Sequence, residues 1–133
     1  SNANSHETER SLAGLELCIV QDLFMNETAK RFAHVFLPAQ SSFEKDGTFM
    51  NAERRIQRIR RAVAPRGKSR NDWEIVCEVA KAMGKGEHFS FESVEQIWEE
   101  VRAVWPAGRG ISYPRIDNHG LQWPCPDESH PGE

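Results

Sequence analysis

Two short apolar runs, and the distance between them, constrain this chain more than any other feature. Residues 15–20 (Leu-Glu-Leu-Cys-Ile-Val) end at the polar pair Gln21-Asp22 and have the length of a buried strand. Val35-Phe36-Leu37 reads as a second strand, stopped by Pro38. Fourteen residues lie between Val20 and Val35, too many for a tight hairpin and enough for a right-handed crossover between parallel strands. Within that connection residues 26–33 suit a short helix. The Asn26 side chain is placed to accept a first-turn N–H, and Glu27 to face the positive helix end. The opening of the chain is therefore predicted to be a β-α-β unit.

Residues 39–51 contain Gly47 and several polar side chains without a helical stripe, and are expected to form an ordered loop. The next stretch differs in charge. Eight basic residues, Arg54, Arg55, Arg58, Arg60, Arg61, Arg66, Lys68 and Arg70, stand there against the single acid Glu53, close to half of the chain's 17 Lys and Arg. Ile56, Ile59 and Val63 recur at helical spacing, though Ile56-x-x-Ile59 is equally compatible with an extended segment. Pro65 and Gly67 break whatever forms. A helix over 72–83 follows from Val76, Val79, Ala80 and Met83, with Asn71 or Asp72 as cap and Gly84 at its left-handed end. Another is predicted over 92–105, with Val94, Ile97, Trp98, Val101 and Trp105 on one stripe, Ser93 and Gln96 in capping-box spacing, and Pro106 as the stop. From Pro106 onward lie five of the seven prolines, so the tail is expected to be irregular and to rest on another surface.

The 133 residues have room for one compact domain or part of one, with a modest core at 38% apolar residues. No apolar stretch approaches the roughly 18–20 residues needed to span a bilayer, and no signal-peptide pattern opens the chain. Ser1-Asn2-Ala3 looks like the scar of a cleaved tag. A net charge of -3 is not the global signature of a nucleic-acid binder. Cys18, Cys77 and Cys125 form no C-x-x-C pair, which excludes a zinc ribbon or an iron–sulfur cluster built from this chain's spacing. Three scattered thiols favour a reducing, cytoplasmic compartment; a periplasmic one stays open, because an export signal would lie upstream.

In open α/β sheets ligands bind at the carboxyl ends of strands, where Gln21 and Asp22 are predicted to sit. A carboxylate there suits a ribose or a base, although position alone favours Asp22 as a cap of the next turn. Residues 43–51 combine Lys45 with Gly47, a pairing that can meet a phosphate while the backbone approaches closely; a solvated turn is the simpler reading. The arginine run lacks interleaved aromatics, and a solvated or acid-paired face explains it as well as nucleic acid does. The five histidines show no metal-ligand spacing, and no serine lies in a G-x-S-x-G elbow. No catalytic constellation and no metal site is contained in the chain.

Taken together, Ile19-Val20-Gln21-Asp22-Leu23-Phe24, Asn26-Glu27-Thr28-Ala29, Val35-Phe36-Leu37-Pro38-Ala39, the block Glu44-Lys45-Asp46-Gly47-Thr48-Phe49-Met50-Asn51-Ala52-Glu53-Arg54-Arg55-Ile56-Gln57, Asp72-Trp73-Glu74-Ile75 and Gly120-Leu121-Gln122-Trp123-Pro124-Cys125-Pro126 closely resemble the catalytic (alpha) subunit of molybdopterin-dependent formate dehydrogenases. The wider family includes nitrate reductases, and the Gln-Trp-Pro-Cys-Pro tail tilts the likeness toward formate dehydrogenase.

The resemblance implies an internal fragment of a larger oxidoreductase that converts formate to carbon dioxide at a molybdenum or tungsten centre held by two molybdopterin guanine dinucleotides. It implies an α/β fold class: part of a three-layer sheet-and-helix dinucleotide-binding domain, then a helical segment and an irregular tail. Residues 1–14 would be tag scar and linker, 15–70 the closing part of the dinucleotide-binding domain, and 71–133 the segment returning to an adjacent domain. By the same likeness Gln21 and Asp22 would meet a guanine dinucleotide, Lys45 would contact the cofactor, and Asp72 would read the nucleotide end, with Gly47 and Asn51 as weaker candidates. Carboxylates suit the N1–H and N2 donors of guanine, and a lysine suits pyrophosphate. The family's iron–sulfur cysteines, metal-bound cysteine or selenocysteine, and catalytic histidine and arginine have no counterparts here, so the fragment alone is expected to be inactive. His34 stands where the family usually has an aspartate. Implied partners are the other domains of the same subunit and iron–sulfur or NAD-linked electron-transfer subunits, with formate as substrate of the whole enzyme and no nucleic acid. The nitrate reductase reading keeps the cofactor and changes the substrate; a basic-face interaction or nucleic-acid-binding module is the reading from another class.

Overall fold

The computed structural model describes residues 4–132; the tag-like Ser1-Asn2-Ala3 lies outside them. The chain begins with helix α1 (Ser5–Ala13), where a linker was expected. The Asn4 side chain accepts from Glu7 N at 3.2 Å, and Arg31 grips Glu9 through two hydrogen bonds of 2.9 Å. No α1 residue is buried, so no apolar stripe announces this helix in the sequence.

Strand β1 (Ile19–Asp22), helix α2 (Glu27–Phe32) and strand β2 (Val35–Pro38) follow. The strands pair in parallel, from Ile19 opposite Val35 to Asp22 opposite Pro38. Asn26 caps α2 by accepting from Ala29 N at 2.8 Å. The β-α-β unit is therefore as predicted, with β1 shifted toward the carboxyl side. Leu15 and Leu17 are exposed and precede the strand, whereas Gln21 and Asp22 are its last two residues rather than the pair after it. Pro38 ends β2 from within, and its carbonyl accepts from Arg70 N at 3.1 Å.

The loop expected over 39–51 ends instead in strand β3 (Gly47–Met50), which pairs antiparallel with β4 (Arg55–Ile59). Phe49 and Met50 are both exposed, so β3 lacks the alternation by which a strand is recognised. In the connecting turn Asn51 Oδ1 accepts from Glu53 N (2.9 Å) and Arg55 N (3.0 Å), and Arg54 adopts φ 64°. Of the two conformations open to the arginine run, pairing selects the extended one. β4 lies between β3 and β5 (Leu121–Gln122), which meet hydrogen-bonding groups on both of its edges.

Helices α3 (Asp72–Ala82) and α4 (Val94–Val104) lie where predicted. At α3 the Glu74 carboxylate accepts from Asn71 N at 3.2 Å, and Gly84 has φ 72°. At α4 Ser93 Oγ accepts from Gln96 N at 3.3 Å. The Gln96 side chain returns to Glu92 N, one residue earlier than a capping box requires.

The irregular tail rests on the chain's own surface and supplies four of the six residues of its main buried cluster. Ile111, Tyr113, Ile116 and Cys125 pack with Ile56 and Trp98, flanked by Val94, Trp105, Leu121 and Trp123. Trp98 Nε1 donates to Ile111 O at 2.6 Å, which satisfies the indole inside the cluster. The division expected at residue 70 runs through this packing, because Ile56 of β4 and the tail share one cluster. The result is an α/β fold with a two-stranded parallel sheet and a three-stranded antiparallel one.

Candidate functional site

The site forms where three separate segments reach the carboxyl ends of β1 and β2. The segment before α3 runs beside the end of β2: Gln40 N donates to Arg70 O at 3.0 Å and Arg70 N to Pro38 O at 3.1 Å. This delivers Asp72, at the start of α3, next to Gln21. Gln21 Nε2 donates to Asp72 Oδ1 at 2.7 Å, and Lys45 Nζ makes a short ion pair with Asp72 Oδ2. Three of the four sequence-predicted site residues thus converge, although Gln21 and Asp72 are 51 positions apart.

Burial pushes the Asp72 carboxyl up, but hydrogen bonds from Lys45 and Gln21 and the lysine's charge outweigh it, so its pKa lies below the ordinary aspartate value. Asp22 has a different setting. Its Oδ1 accepts from Leu23 N at 2.6 Å and its Oδ2 from Asn26 Nδ2 at 2.6 Å, so it orders the β1–α2 connection while still lining the cleft. Asn51 is engaged in the hairpin turn, and Gly47 begins β3; neither lines this cleft. The cleft has a volume of about 230 Å³ and is bordered by Gln21, Asp22, Ser41, Ser42, Lys45 and Asp72 among others. Pockets that enclose a drug-sized ligand measure about 300–1,000 Å³, so this one is smaller than such a pocket.

Glu44 is a residue that the sequence reading passed over. It is 8% exposed, and its carboxylate accepts from Ser41 N (2.9 Å), Ser41 Oγ (2.8 Å) and Arg66 N (2.8 Å). These bonds, those from Ser41 foremost, hold its pKa low against burial. Glu44 thereby fixes the loop that carries Lys45. Its neighbour Phe43, through its carbonyl, accepts from Ala62 N and Val63 N. Only the adjacency of Glu44 to Lys45 hinted at this role.

The arginine run holds the tail. Arg54 lies 5.4 Å from the Trp123 ring centroid and Arg58 lies 3.6 Å from that of Tyr113. Arg55 donates to Gly120 O at 3.3 Å, and Arg60 pairs with Asp117. Half of the eight cations are therefore occupied within the fold. His34 is structural as well, since its Nδ1 accepts from Cys18 N at 3.0 Å. Among the described residues no group of His, Cys, Asp and Glu could hold a metal, and no helix is long and apolar enough to cross a membrane.

An acid, a lysine and an amide are thus gathered at the carboxyl end of a parallel strand pair, the end at which open α/β sheets generally bind ligands. Comparison with known proteins gives the family. Residues 1–82 match the model of the molybdopterin oxidoreductase family. The chain is 46% identical over 132 residues to the F420-dependent formate dehydrogenase subunit alpha of Methanocaldococcus jannaschii, covering 99% of this chain and 20% of that protein. It is 41% identical over 138 residues to the assimilatory nitrate reductase catalytic subunit of Bacillus subtilis (99% and 19%), and 38% identical over 130 residues to formate dehydrogenase H of Escherichia coli (97% and 18%). Among solved structures, acetylene hydratase from Pelobacter acetylenicus matches with a TM-score of 0.59 at 25% identity, over 68% of this chain and 13% of that one. The chain belongs to the molybdopterin oxidoreductase family. It spans about a fifth of the length of the three curated relatives named above.

Proposed function

We propose that this chain is part of a formate dehydrogenase catalytic subunit, and that its cleft holds the nucleotide end of a molybdopterin guanine dinucleotide. The observation that carries this reading is the meeting of Gln21, Lys45 and Asp72 at the carboxyl ends of two parallel strands. The donor set suits the group. Asp72, about half-exposed, keeps lone pairs for the N–H donors of guanine, Lys45 offers its charge to a phosphate oxygen, and Gln21 orients the carboxylate. Asp22 shapes the loop over the same cleft. The 46% likeness to a formate dehydrogenase alpha subunit supports formate as substrate.

When bound, the pterin-held molybdenum or tungsten supplies the two-electron chemistry by which formate becomes carbon dioxide, a proton and two electrons. The residues of this chain bind and orient; none takes part in the bond change. The catalytic groups, an iron–sulfur cluster and any electron-transfer subunit belong to the rest of the enzyme, and the fragment alone is inactive. A nitrate reductase is the second reading, favoured by the 41% likeness to an assimilatory enzyme.

Elemental mass spectrometry with formate- and nitrate-dependent dye reduction, on the full-length subunit, tests the assignment. Metal with formate turnover supports it; metal with nitrate turnover alone keeps the cofactor and replaces the substrate; a folded subunit with neither metal nor pterin overturns it. The site is tested separately by Lys45→Ala and Asp72→Asn. Hydrogen bonds to charged groups contribute about 1.5–3 kcal/mol, so each variant should retain cofactor roughly tenfold to a hundredfold less tightly. The readout is guanine nucleotide released on acid hydrolysis per subunit. Full retention in both variants sinks the assignment of the cleft.

A further inference from the structure

A second cavity, of about 440 Å³, lies where β4, the 40–46 loop and the first turns of α3 and α4 meet. It shares Gln40 and Lys45 with the cofactor cleft but has no part in the function proposed above. Three buried polar atoms on residues of its wall, Gln40 Oε1, Arg58 Nε and Asn71 Oδ1, have no hydrogen-bond partner. Gln40 is 6% exposed. The Arg58 guanidinium is held against the Tyr113 ring, and among the described residues no acid pairs with it.

Four acids line the same cavity, and their settings decide what can enter. The Glu44 carboxylate is consumed by Ser41 and Arg66, Glu74 accepts from Asn71 N, and Asp46 accepts from Arg61 N at 3.4 Å. Glu95 stands in the first turn of α4. With four acids facing Lys45, Arg58 and Arg61, a free multiply charged anion is repelled from most of the wall. A single carboxylate carried on a peptide meets Arg58 alone and presents backbone N–H groups elsewhere. The Tyr113 ring takes one face of the Arg58 guanidinium but gives its buried Nε–H no acceptor, and a buried donor of a charged group left without one is costly; the F420-dependent formate dehydrogenase alpha subunit is about five times as long as this chain.

We infer that this cavity seats an acidic segment of the same subunit from outside these 133 residues, with its carboxylate on Arg58 and a backbone N–H on Gln40 Oε1. The segment then packs beside Lys45 and closes the far wall of the cofactor cleft. This inference rests on the orphaned atoms and on the length of the relatives, not on the identity of the cofactor.

Carbodiimide cross-linking of the full-length enzyme carrying R58K tests it, because this reagent joins an amine only to a carboxylate in direct contact. The expected result is a link from position 58 to an Asp or Glu outside the 133 residues, within one chain. Links only to Asp46, Glu74 or Glu95, links between isotopically distinguished copies, or no link in a variant that keeps its metal and pterin each overturn the proposal. Phenylglyoxal labelling of the unsubstituted enzyme gives an independent readout should R58K fail to fold. Arg58 is expected to stay unlabelled while exposed Arg66 reacts, and equal labelling of the two overturns the seating.

Discussion

Asp72 joins Gln21 and Lys45 through its two carboxylate oxygens, and its ionisation can be followed. Its folded pKa lies below the ordinary 3.8, so ionised Asp72 stabilises the fold at every pH above that unfolded value. The contribution is lost as pH falls through the depressed folded pKa. Asp72→Asn should therefore lower the midpoint of urea unfolding at neutral pH, and the gap between variant and parent should close on acidification past the normal aspartate range. A gap that persists unchanged in strong acid would show that ionisation is irrelevant there. At this scale the sequence was informative in part. Gln21, Lys45 and Asp72 were identifiable through family likeness, but that they touch depends on a 51-residue separation that spacing cannot reveal. Asp22 was legible as a cap from position alone. Glu44 and Gln40 were not, because nothing local distinguishes a buried polar side chain from a solvated one.

The elements that were legible are those whose pattern is local. α3 and α4 have apolar stripes and caps within their own turns, and β1 and β2 are short apolar runs. β3 and β4 were obscure because their hydrogen bonds are made to each other and to β5, some sixty residues later, while their side chains are mostly partly exposed. Gly120 is packed directly against β4, with Ile56, Gln57 and Arg55 around it. It has φ +67°, and an added Cβ would lie 2.4 Å from Ile56 O. Gly120→Ala combines a left-handed backbone penalty of about 1–2 kcal/mol with displacement of a strand carbonyl. Its melting temperature should fall well below that of Gly84→Ala, whose added Cβ meets nothing within 4 Å. Equal melting temperatures would mean that the tail does not press on β4.

For the whole molecule, charge distribution distinguishes a clasp from a binding face. Four of the eight cations in the arginine run are tied to Trp123, Gly120, Tyr113 and Asp117, and the net charge is -3. Fluorescence anisotropy with labelled single- and double-stranded DNA and RNA should show no binding with a steep salt dependence. Sub-micromolar affinity at moderate salt, lost on raising it, would reinstate a nucleic-acid role.

The tail's place in the core also bears on the order in which the chain leaves the ribosome. Four of the six residues in the buried cluster, Ile111 to Cys125, are synthesised after every helix longer than one turn. Until then Ile56 and Trp98 have only Val94 and Trp105 of the cluster's neighbours to close upon, and Arg55 and Arg58 of β4 lack the Gly120 carbonyl and the Tyr113 ring that hold them. The family match ends at residue 82, whereas the packing unit closes only some forty residues later. A gene boundary drawn at the end of the recognisable motif would release a nascent chain with one edge of β4 unpaired and its main buried cluster not yet made.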